Sequence, residues 1–531
     1  MPIAKQFRRF LRFQFEGKIF EFNCLPNGLS SGPRMFTKLT KPLFAKLREK
    51  GHISCIYIDD SILFGDDRME CFQNILDTVE AALDAGFVVH PIKSIFDPTQ
   101  SLEFLGFIID SVEMTVTLTT SKAYTLKQMC EQLISYKKTK IITVARVIGK
   151  MVAAFPGVQY GPLFYRILDN EKTAALKLNR GNYQAKMKLS MNAKNDLNWW
   201  IENIETSFKN ITCQPPTITV FSDSSKTGWG GIYGDLSTGG NWSLEESKIH
   251  INVLELIAAY YTLASLCRDV RDTHIRIMVD NQTALAYINN MGGKTTLCNK
   301  ITRQIWDWCL QRNVWISAAY LTSKENKEAD EQSRISHSNA EWKLNPDIFN
   351  LITKLRGTPD IDLFASRLNH QVNKYCAWKP DPFCMSVDAF LHEWGNDYNY
   401  IFPPFSLVGK VLQKIEQDKA TAILICPLWL TQSWFSKLLR LLMDCPRYFC
   451  READTMTNPS QPRGKLPKME ILVCLVSGNH SKRRTFQNGQ GQSLCPHGGT
   501  LLSCSTNHTS RSGKSLQLRG KSILLHPLLE T

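Results

Sequence analysis

The stretch Cys55-Ile56-Tyr57-Ile58-Asp59-Asp60-Ser61-Ile62-Leu63-Phe64-Gly65 places two adjacent aspartates between two apolar runs. Both runs are rich in β-prone residues, so the segment reads as strand, tight turn, strand, with the carboxylates at the tip. Asp-Asp is common in plain turns. An apolar hairpin nevertheless has little structural reason to juxtapose two like charges. A hard divalent cation such as Mg²⁺ supplies a reason, because it binds a few carboxylates together with substrate phosphates.

The flanks extend the pattern. Upstream, Leu25-Pro26-Asn27-Gly28-Leu29-Ser30-Ser31-Gly32-Pro33-Arg34-Met35-Phe36 is a Gly/Pro-rich turn opening a helix. Downstream, Arg68 to Ala85 reads as a helix with Phe72, Ile75, Leu76, Val79, Ala82 and Leu83 on one face and Gly86 as its stop. A short strand is expected at Phe87–His90. Lys93 follows Pro91 and, taken alone, is a solvated charge. Leu102-Glu103-Phe104-Leu105-Gly106-Phe107 reads as a further hairpin.

Tyr-x-Asp-Asp with these neighbours in this order resembles the palm of reverse transcriptases. The resemblance implies that Asp59 and Asp60 hold the ions that activate a primer 3′-hydroxyl and stabilise the leaving pyrophosphate. It implies that Lys93 protonates that pyrophosphate. Tyr57, Gly28, Ser30 and Pro33 would contact template and incoming nucleotide, and Phe104, Leu105 and Gly106 would grip the primer. Palms of this family carry a further aspartate on a separate strand, ahead of a segment like Pro2-Ile3-Ala4-Lys5. No aspartate precedes Asp59, so the expectation is an incomplete, N-terminally truncated palm without fingers, with polymerisation lost in this chain.

At 531 residues the chain has room for three or four domains, each with its own core. The net charge of +14 favours a polyanionic partner, nucleic acid ahead of membrane, although mild basicity is common among soluble proteins. Half of the excess lies in residues 451–531, with 11 Lys/Arg against 4 Asp/Glu. There is no signal-peptide pattern, and no apolar run approaches the ~20 residues that span a bilayer. The expected location is intracellular, in cytoplasm and/or nucleus, neither secreted nor membrane-bound. The 16 cysteines include no Cys-x-x-Cys pair and read as reduced, buried, small apolar residues; the 11 histidines do not cluster with them, which argues against zinc.

Thr119 to Asn210 reads mostly as helix, clearest at Ile142–Ala154 and Met191–Ile204, and resembles the thumb and connection of retroelement polymerases. Asn198-Trp199-Trp200 reads as core, with nucleic-acid contact as the alternative. At Thr217 the period changes. A strand, Thr217–Ser222, ends in Asp223 and is followed by Ser224-Ser225-Lys226-Thr227-Gly228-Trp229-Gly230-Gly231-Ile232-Tyr233, a small-residue turn and a second strand. Glu255 stands among apolar residues at a helix start. Ile275–Val279 is a strand ending in Asp280-Asn281, and Asp330 sits on a helix within Asn326–Arg334.

Singly, Asp280 is a helix cap, Asp330 a surface charge and Glu255 half of a salt bridge. Jointly, four acids at strand ends and helix starts can meet at one sheet edge and hold two Mg²⁺ ions about 4 Å apart. The set resembles ribonuclease H, with Asp223, Glu255, Asp280 and Asp330 matching its four acids in order. Many members of that family carry a histidine about ten residues before the last acid; Tyr320 stands in that place, which bears on product release and not on metal binding.

Further on, Pro359-Asp360-Ile361-Asp362-Leu363-Phe364-Ala365-Ser366, the strand ending Tyr400-Ile401-Phe402-Pro403-Pro404-Phe405, the helix Leu407–Asp418 and the buried strand Ala420–Pro427 alternate as in an α/β domain. The arrangement resembles phage-type adenine-N6 methyltransferases. Phe402 occupies the place of the polar residue that would accept from the target amine, and a phenylalanine cannot accept. S-adenosylmethionine is therefore not expected as a cofactor, and no cofactor-binding residue is assigned. The order of these parts, with Asp362-Leu363-Phe364-Ala365-Ser366-Arg367-Leu368-Asn369, resembles the polyprotein of DIRS-type retrotransposons from Pro2 to about Gln487. Pro459–Lys468 reads as linker, Met469–Ser477 as one apolar strand or helix, and Ser481–Thr531 as largely disordered. Lys482-Arg483-Arg484 suits a solvated linker, nuclear import or RNA contact.

The fold expected is thus multidomain α/β and α+β. It comprises an incomplete palm (1–118), a helical thumb/connection (119–211), a ribonuclease H-like domain (212–337), a methyltransferase-like α/β domain (345–450) and a basic tail (451–531). The expected partners are an RNA template, RNA–DNA hybrid and dNTPs, with Mg²⁺ or Mn²⁺ as cofactor. The rival reading is a catalytically dead nucleic-acid-binding remnant of a retroelement.

Overall fold

The computed structural model describes residues 2–335, 342–450, 455–459, 469–489, 514–518 and 521–529. The chain divides into two compact units, Met1–Cys213 and Gln214–Thr531. Among the described residues no helix is long and apolar enough to cross a membrane.

In the first unit the hairpin β1 (Arg12–Phe15) and β2 (Lys18–Glu21) precedes α1 (Gly32–Glu49). Pro33 lies in the first turn of α1, where a missing N–H costs nothing. β3 (Ile53–Tyr57) and β4 (Asp60–Phe64) pair antiparallel with Tyr57 opposite Asp60, which leaves Ile58 and Asp59 as the turn. α2 (Arg68–Asp84) begins at Asp67, whose carboxylate accepts from the Glu70 N–H at 2.8 Å. The buried Asn74 fastens α2 to the hairpin by donating to the Ile53 and Phe64 carbonyls at 3.0 and 2.9 Å.

The helix expected from Arg68 forms as α2, whereas the short strand expected after it does not. Of the apolar face of α2, Ile75 is buried, but Phe72, Leu76 and Leu83 remain exposed. The strand expected at Phe87–His90 is irregular, because no neighbouring strand offers it a ladder; the Phe87 ring instead meets the edge of Phe36 at 5.9 Å.

β5 (Ser101–Phe104), β6 (Phe107–Asp110), β7 (Thr115–Leu118) and β8 (Phe208–Asn210) form an antiparallel sheet in the order β8-β7-β6-β5. The helices α3 (Thr120–Ser135), α4 (Ile141–Ala154), α5 (Arg166–Leu178) and α6 (Met191–Asn203) follow the palm segment. Trp200 is fully buried and donates its indole N–H to the Phe164 carbonyl at 3.0 Å, while Trp199 stacks on the Phe164 ring at 3.9 Å. Both tryptophans are bound up in helix packing.

Among the described residues the second unit carries two large sheets. The first comprises β9 (Ile218–Ser224), β10 (Gly228–Tyr233), β11 (Leu236–Asn241), β12 (His274–Val279) and β13 (Trp315–Tyr320), in the order β11-β10-β9-β12-β13. β9 pairs parallel with β12, and β12 with β13; β10 and β11 are antiparallel. The helix α7 (Ile251–Leu266) is buried along most of its length, as its nearly unbroken apolar sequence requires. α8 (Gln282–Asn289), α9 (Thr296–Leu310) and α10 (Lys327–Arg334) complete the domain. A Cβ at Gly230 would collide with the Ala329 carbonyl, so glycine there lets α10 lie directly on β10.

The second sheet comprises β14 (Ile361–Asp362), β15 (Tyr398–Ile401), β16 (Thr421–Pro427), β17 (Arg447–Cys450), β18 (Glu470–Ser477), β19 (Lys514–Leu518) and β20 (Lys521–Pro527), in the order β14-β15-β16-β18-β17-β20-β19. β14, β15 and β16 are parallel, with α11 (Pro346–Arg356), α12 (Val408–Gln417), α13 (Phe435–Leu441) and α14 (His480–Gly489) around them.

In the tail the described residues hold regular elements: β18 falls on Met469–Ser477, expected as one apolar strand or helix, whereas α14, β19 and β20 stand within the stretch expected as largely disordered. β18 is an interior strand paired on both sides, α14 follows it, and β20 pairs parallel with β17. β18 is an eight-residue strand buried on both faces, and pairing on both sides decides between the strand and the helix that its apolar sequence allows. The domain boundary expected at 450 therefore falls inside one sheet. The expected linker beyond Pro459, residues 460–468, and all of residues 490–513 lie outside the described residues.

Candidate functional site

The chemistry-bearing groups of the second unit meet at one end of β9. Asp223 is the sixth residue of β9 and is 4% exposed. Glu255, also 4% exposed, projects from the first turns of α7, which packs on β9 and β10. Asp280 follows the last residue of β12, the parallel neighbour of β9. Ligand oxygens of these three acids lie within 4.8 Å of one another.

Asp280 is free for this role because Asn281 is the helix cap instead, accepting from the Ala284 N–H at 2.9 Å. Ser323 donates its hydroxyl to Asp280 Oδ2 at 2.6 Å and fixes that carboxylate. One oxygen of Asp223 and one of Glu255 are buried with no hydrogen-bond partner among the described residues. Unpaired buried carboxylate oxygens are costly unless protonated or bound to a cation.

The electrostatics agree. Burial, and then the neighbouring Asp280 and Asp330, push Asp223 up to about 6, partly offset by a hydrogen bond from Ser333 and the charge of Arg334. Burial, and then Asp223 and Asp280, push Glu255 up to about 9. Like charges gathered in a low-dielectric site account for both directions.

Asp330 departs from the expected convergence. It is on α10 and acts on Asp223 through space, but it is not within the three-acid cluster. Its Oδ1 accepts from Arg334 Nε and Nη2 at 2.9 and 2.6 Å. The i, i+4 spacing of Asp330 and Arg334 on one helix is the signal that could have revealed this pair. Nothing in the sequence singled out Ser323. α10 itself is firmly seated: Ser225 donates to the Ser333 carbonyl at 2.7 Å and Asn326 donates to the Ser222 carbonyl at 3.1 Å. Tyr320 is at the end of β13 and half exposed.

In the first unit Asp59 and Asp60 stand exposed at the tip of β3–β4, beside an exposed Tyr57. Among the described residues no third His, Cys, Asp or Glu joins them in a metal-sized group. Ile58, in the turn, has φ +58°, a conformation β-branched residues rarely adopt. Gly28 has φ +90° in the turn that also holds Ser30, just ahead of α1 and its Pro33. Phe104, Leu105 and Gly106 form the β5–β6 turn, and Lys122 donates to the Leu105 carbonyl at 2.6 Å. Lys93 is exposed in an irregular turn.

In the third candidate region Asp362 and Phe402 make structural contacts. Asp362 is buried and accepts from the Gln371 and Phe364 N–H groups at 3.0 and 3.4 Å, which folds the loop between them; burial pushes it up to about 7. Phe402 packs against the core around Tyr400 and Ile423. A cavity of about 480 Å³ lies beside this loop, lined by Phe364, Trp378, Asp388 and Phe390 and, from the first sheet, by Trp229 and Gly240.

Residues 1–109 match the family model described as Reverse transcriptase (RNA-dependent DNA polymerase). The chain is 31% identical over 108 residues to the retrovirus-related Pol polyprotein from transposon gypsy of Drosophila melanogaster, covering 20% of this chain and 10% of that one. It is 35% identical over 91 residues to the corresponding polyprotein from transposon opus of the same fly, covering 17% and 9%. The chain thus spans about a tenth of the length of these curated relatives.

Among solved structures it overlays loosely, at TM-score 0.35 and 17% identity, on a foamy viral protease-reverse transcriptase in complex with double-stranded DNA, covering 60% of this chain and 54% of that one. An RNase H1 from the halophilic archaeon Halobacterium salinarum matches at TM-score 0.19 and 14% identity, over 22% of this chain and 92% of that one. Residues 1–109 are thus similar to reverse transcriptase domains, including those of retrotransposon Pol polyproteins.

Proposed function

We propose that this chain is a reverse transcriptase/ribonuclease H polypeptide of a DIRS-type retroelement, and that its second unit hydrolyses the RNA strand of RNA–DNA hybrids. The observation that carries this reading is the group Asp223, Glu255 and Asp280, with ligand oxygens within 4.8 Å and two of them buried without a partner. Such a donor set fits hard divalent cations. Mg²⁺ or Mn²⁺ held there would supply positive charge to a phosphate and acidify a water. Asp223 and Glu255 present the unpaired oxygens, Ser323 orients Asp280, and Asp330 adds negative charge from α10.

The test is cleavage of a labelled RNA–DNA hybrid by the full chain with Mg²⁺ or Mn²⁺, compared with Asp280→Asn. Cleavage lost in that variant supports the reading. A folded wild-type chain inert with both metals would favour a nucleic-acid-binding remnant, in keeping with an Asp330 already engaged by Arg334.

For the first unit the proposed ancestral chemistry is RNA-directed DNA synthesis from dNTPs, with Asp59 and Asp60 as metal ligands. Region 345–450 is proposed to bind or scaffold without transferring methyl groups, since Phe402 is a partly buried side chain packed against the core that cannot accept a hydrogen bond, and Asp362 is engaged by backbone N–H groups.

A further inference from the structure

Arg367 joins the two α/β domains of the second unit. Arg367 Nη1 donates to Glu246 Oε1 at 2.7 Å, and Nη2 donates to Glu246 Oε2 at 3.0 Å and to the Asn241 carbonyl at 3.0 Å. The guanidinium also lies 4.8 Å from the ring centre of Tyr261 and 5.9 Å from that of Trp242. One side chain from the second-sheet domain thereby touches the end of β11, the following loop and α7, the helix that bears Glu255.

Both halves are prepared in advance. On the arginine side, Asp381 accepts from the Arg367 N–H at 2.9 Å and from the Tyr375 hydroxyl at 2.5 Å, and Tyr375 stacks on His370 at 4.7 Å. On the acid side, Glu246 accepts from the Ser243 N–H at 2.8 Å and from the Tyr261 hydroxyl at 3.4 Å. Burial would raise Glu246, but the Arg367 charge and hydrogen bonds override it and hold the group below its usual range. The contact continues outward, with Thr238 donating to the Pro380 carbonyl and Phe383 meeting Tyr261 edge-on at 5.8 Å.

A planar fork that satisfies a carboxylate bidentately and a carbonyl together, between aromatic faces, is geometry a solvated surface pair does not hold. A buried charge deprived of its partner is strongly destabilising, so neither domain can shed the other without exposing Arg367 or stranding Glu246.

We propose that the domain at 342–529 is a permanent brace on the acid-bearing domain, so that the two unfold as one cooperative unit locked by Arg367. This inference does not rest on the hydrolytic reading.

The test is native-state hydrogen exchange of the full chain in rising guanidinium. Peptides covering Leu236–Ser247 and Leu256–Ser265 are compared with those covering Phe364–Cys384. In the wild type the sets should converge on one opening transition, with the same midpoint and slope. In Arg367→Met both should exchange faster together, by roughly 100-fold or more. Arg367→Lys, which keeps the charge and loses the fork, should fall between. Should Arg367→Met fail to fold, Glu246→Gln reads the same coupling. Separate midpoints in the wild type, or acceleration confined to one set, would overturn the proposal.

Discussion

At Asp59 and Asp60 the carboxylates stand on an exposed turn of a two-stranded hairpin that no further strand joins among the described residues. At Asp223, Glu255 and Asp280 they converge from the central strand of a five-stranded sheet, its parallel neighbour and a buried helix. The second arrangement invests packing energy in holding like charges together; the first leaves them solvated and apart from any third ligand. Pre-organisation separates the two sites more than residue type does. A metal centre needs its acids fixed before the cation arrives, and fixation requires burial on several sides.

The largest effect expected follows directly. Asp280→Asn removes a ligand charge with little change in volume, and should reduce hybrid cleavage by at least about 100-fold, more than is usual for loss of an outer hydrogen-bond partner. Asp59→Asn should leave cleavage unchanged. The 531-residue chain itself should not extend a primer on an RNA template, because among the described residues no third acid joins Asp59 and Asp60 in a metal-sized group. Robust extension that Asp59→Asn abolishes would break the comparison, by showing that another group completes the hairpin site.

Packing offers the next test. Leu254 is fully buried on α7 beside Glu255, whereas Leu76 on α2 is 47% exposed. Leu254→Ala should cost about 2–5 kcal/mol of stability by leaving a cavity. Leu76→Ala should stay within about 0.5 kcal/mol, as surface changes do. Denaturant midpoints of the two variants decide it; comparable losses would mean that the exposed face of α2 is covered in solution.

Asp223, Glu255, Asp280 and Asp330 were legible because strand-end and helix-start acids keep a recognisable order, and Thr217 marked the change of period. Which acids touch was not legible. Asp330 is drawn to Arg334, one helical turn away, and Asp280 depends on Ser323, a loop residue without a signature. Arg367 was invisible for a related reason: its partner Glu246 lies 121 residues earlier in the chain. The hairpin β19–β20 was not legible, because it is joined to the sheet through the pairing of β20 with β17, more than 70 residues earlier in the chain. The apolar face of α2 was read correctly as a pattern, but a pattern does not say whether anything covers it.

The pH dependence of stability should also distinguish the sites. Glu255 is raised by burial and by its acidic neighbours from 4.5 to about 9, and Asp223 from 3.8 to about 6. Between each pair of values the folded chain binds more protons than the unfolded one, so stability falls as pH rises. In chelator, the second unit should therefore lose stability from about pH 4.5 to 9 through Glu255, with Asp223 contributing from about 3.8 to 6. Millimolar Mg²⁺ or Mn²⁺ should restore it, because the cation replaces the proton. Thermal unfolding across this range, with and without metal, is the measurement. A flat profile in chelator would mean that the cluster is better hydrated than its burial indicates.

The smallest effect lies at the tip of the exposed hairpin. Ile58 occupies the first turn residue at φ +58°, where hairpins of this loop length favour glycine. A left-handed backbone costs an L-residue roughly 1–2 kcal/mol, and glycine gives back about 0.5–1 kcal/mol in the entropy of the unfolded chain. Ile58→Gly should accordingly stabilise the first unit by about 0.5 kcal/mol, leaving the second unit unmoved. The strain is held next to Asp59, and backbone strain of this kind clusters at functional sites. A denaturant titration followed by hydrogen exchange at Ile53–Phe64 reads the change where it occurs. Loss of protection there would show that the Ile58 side chain contributes packing that outweighs its backbone strain, and that the exposed site is more firmly built than its surroundings suggest.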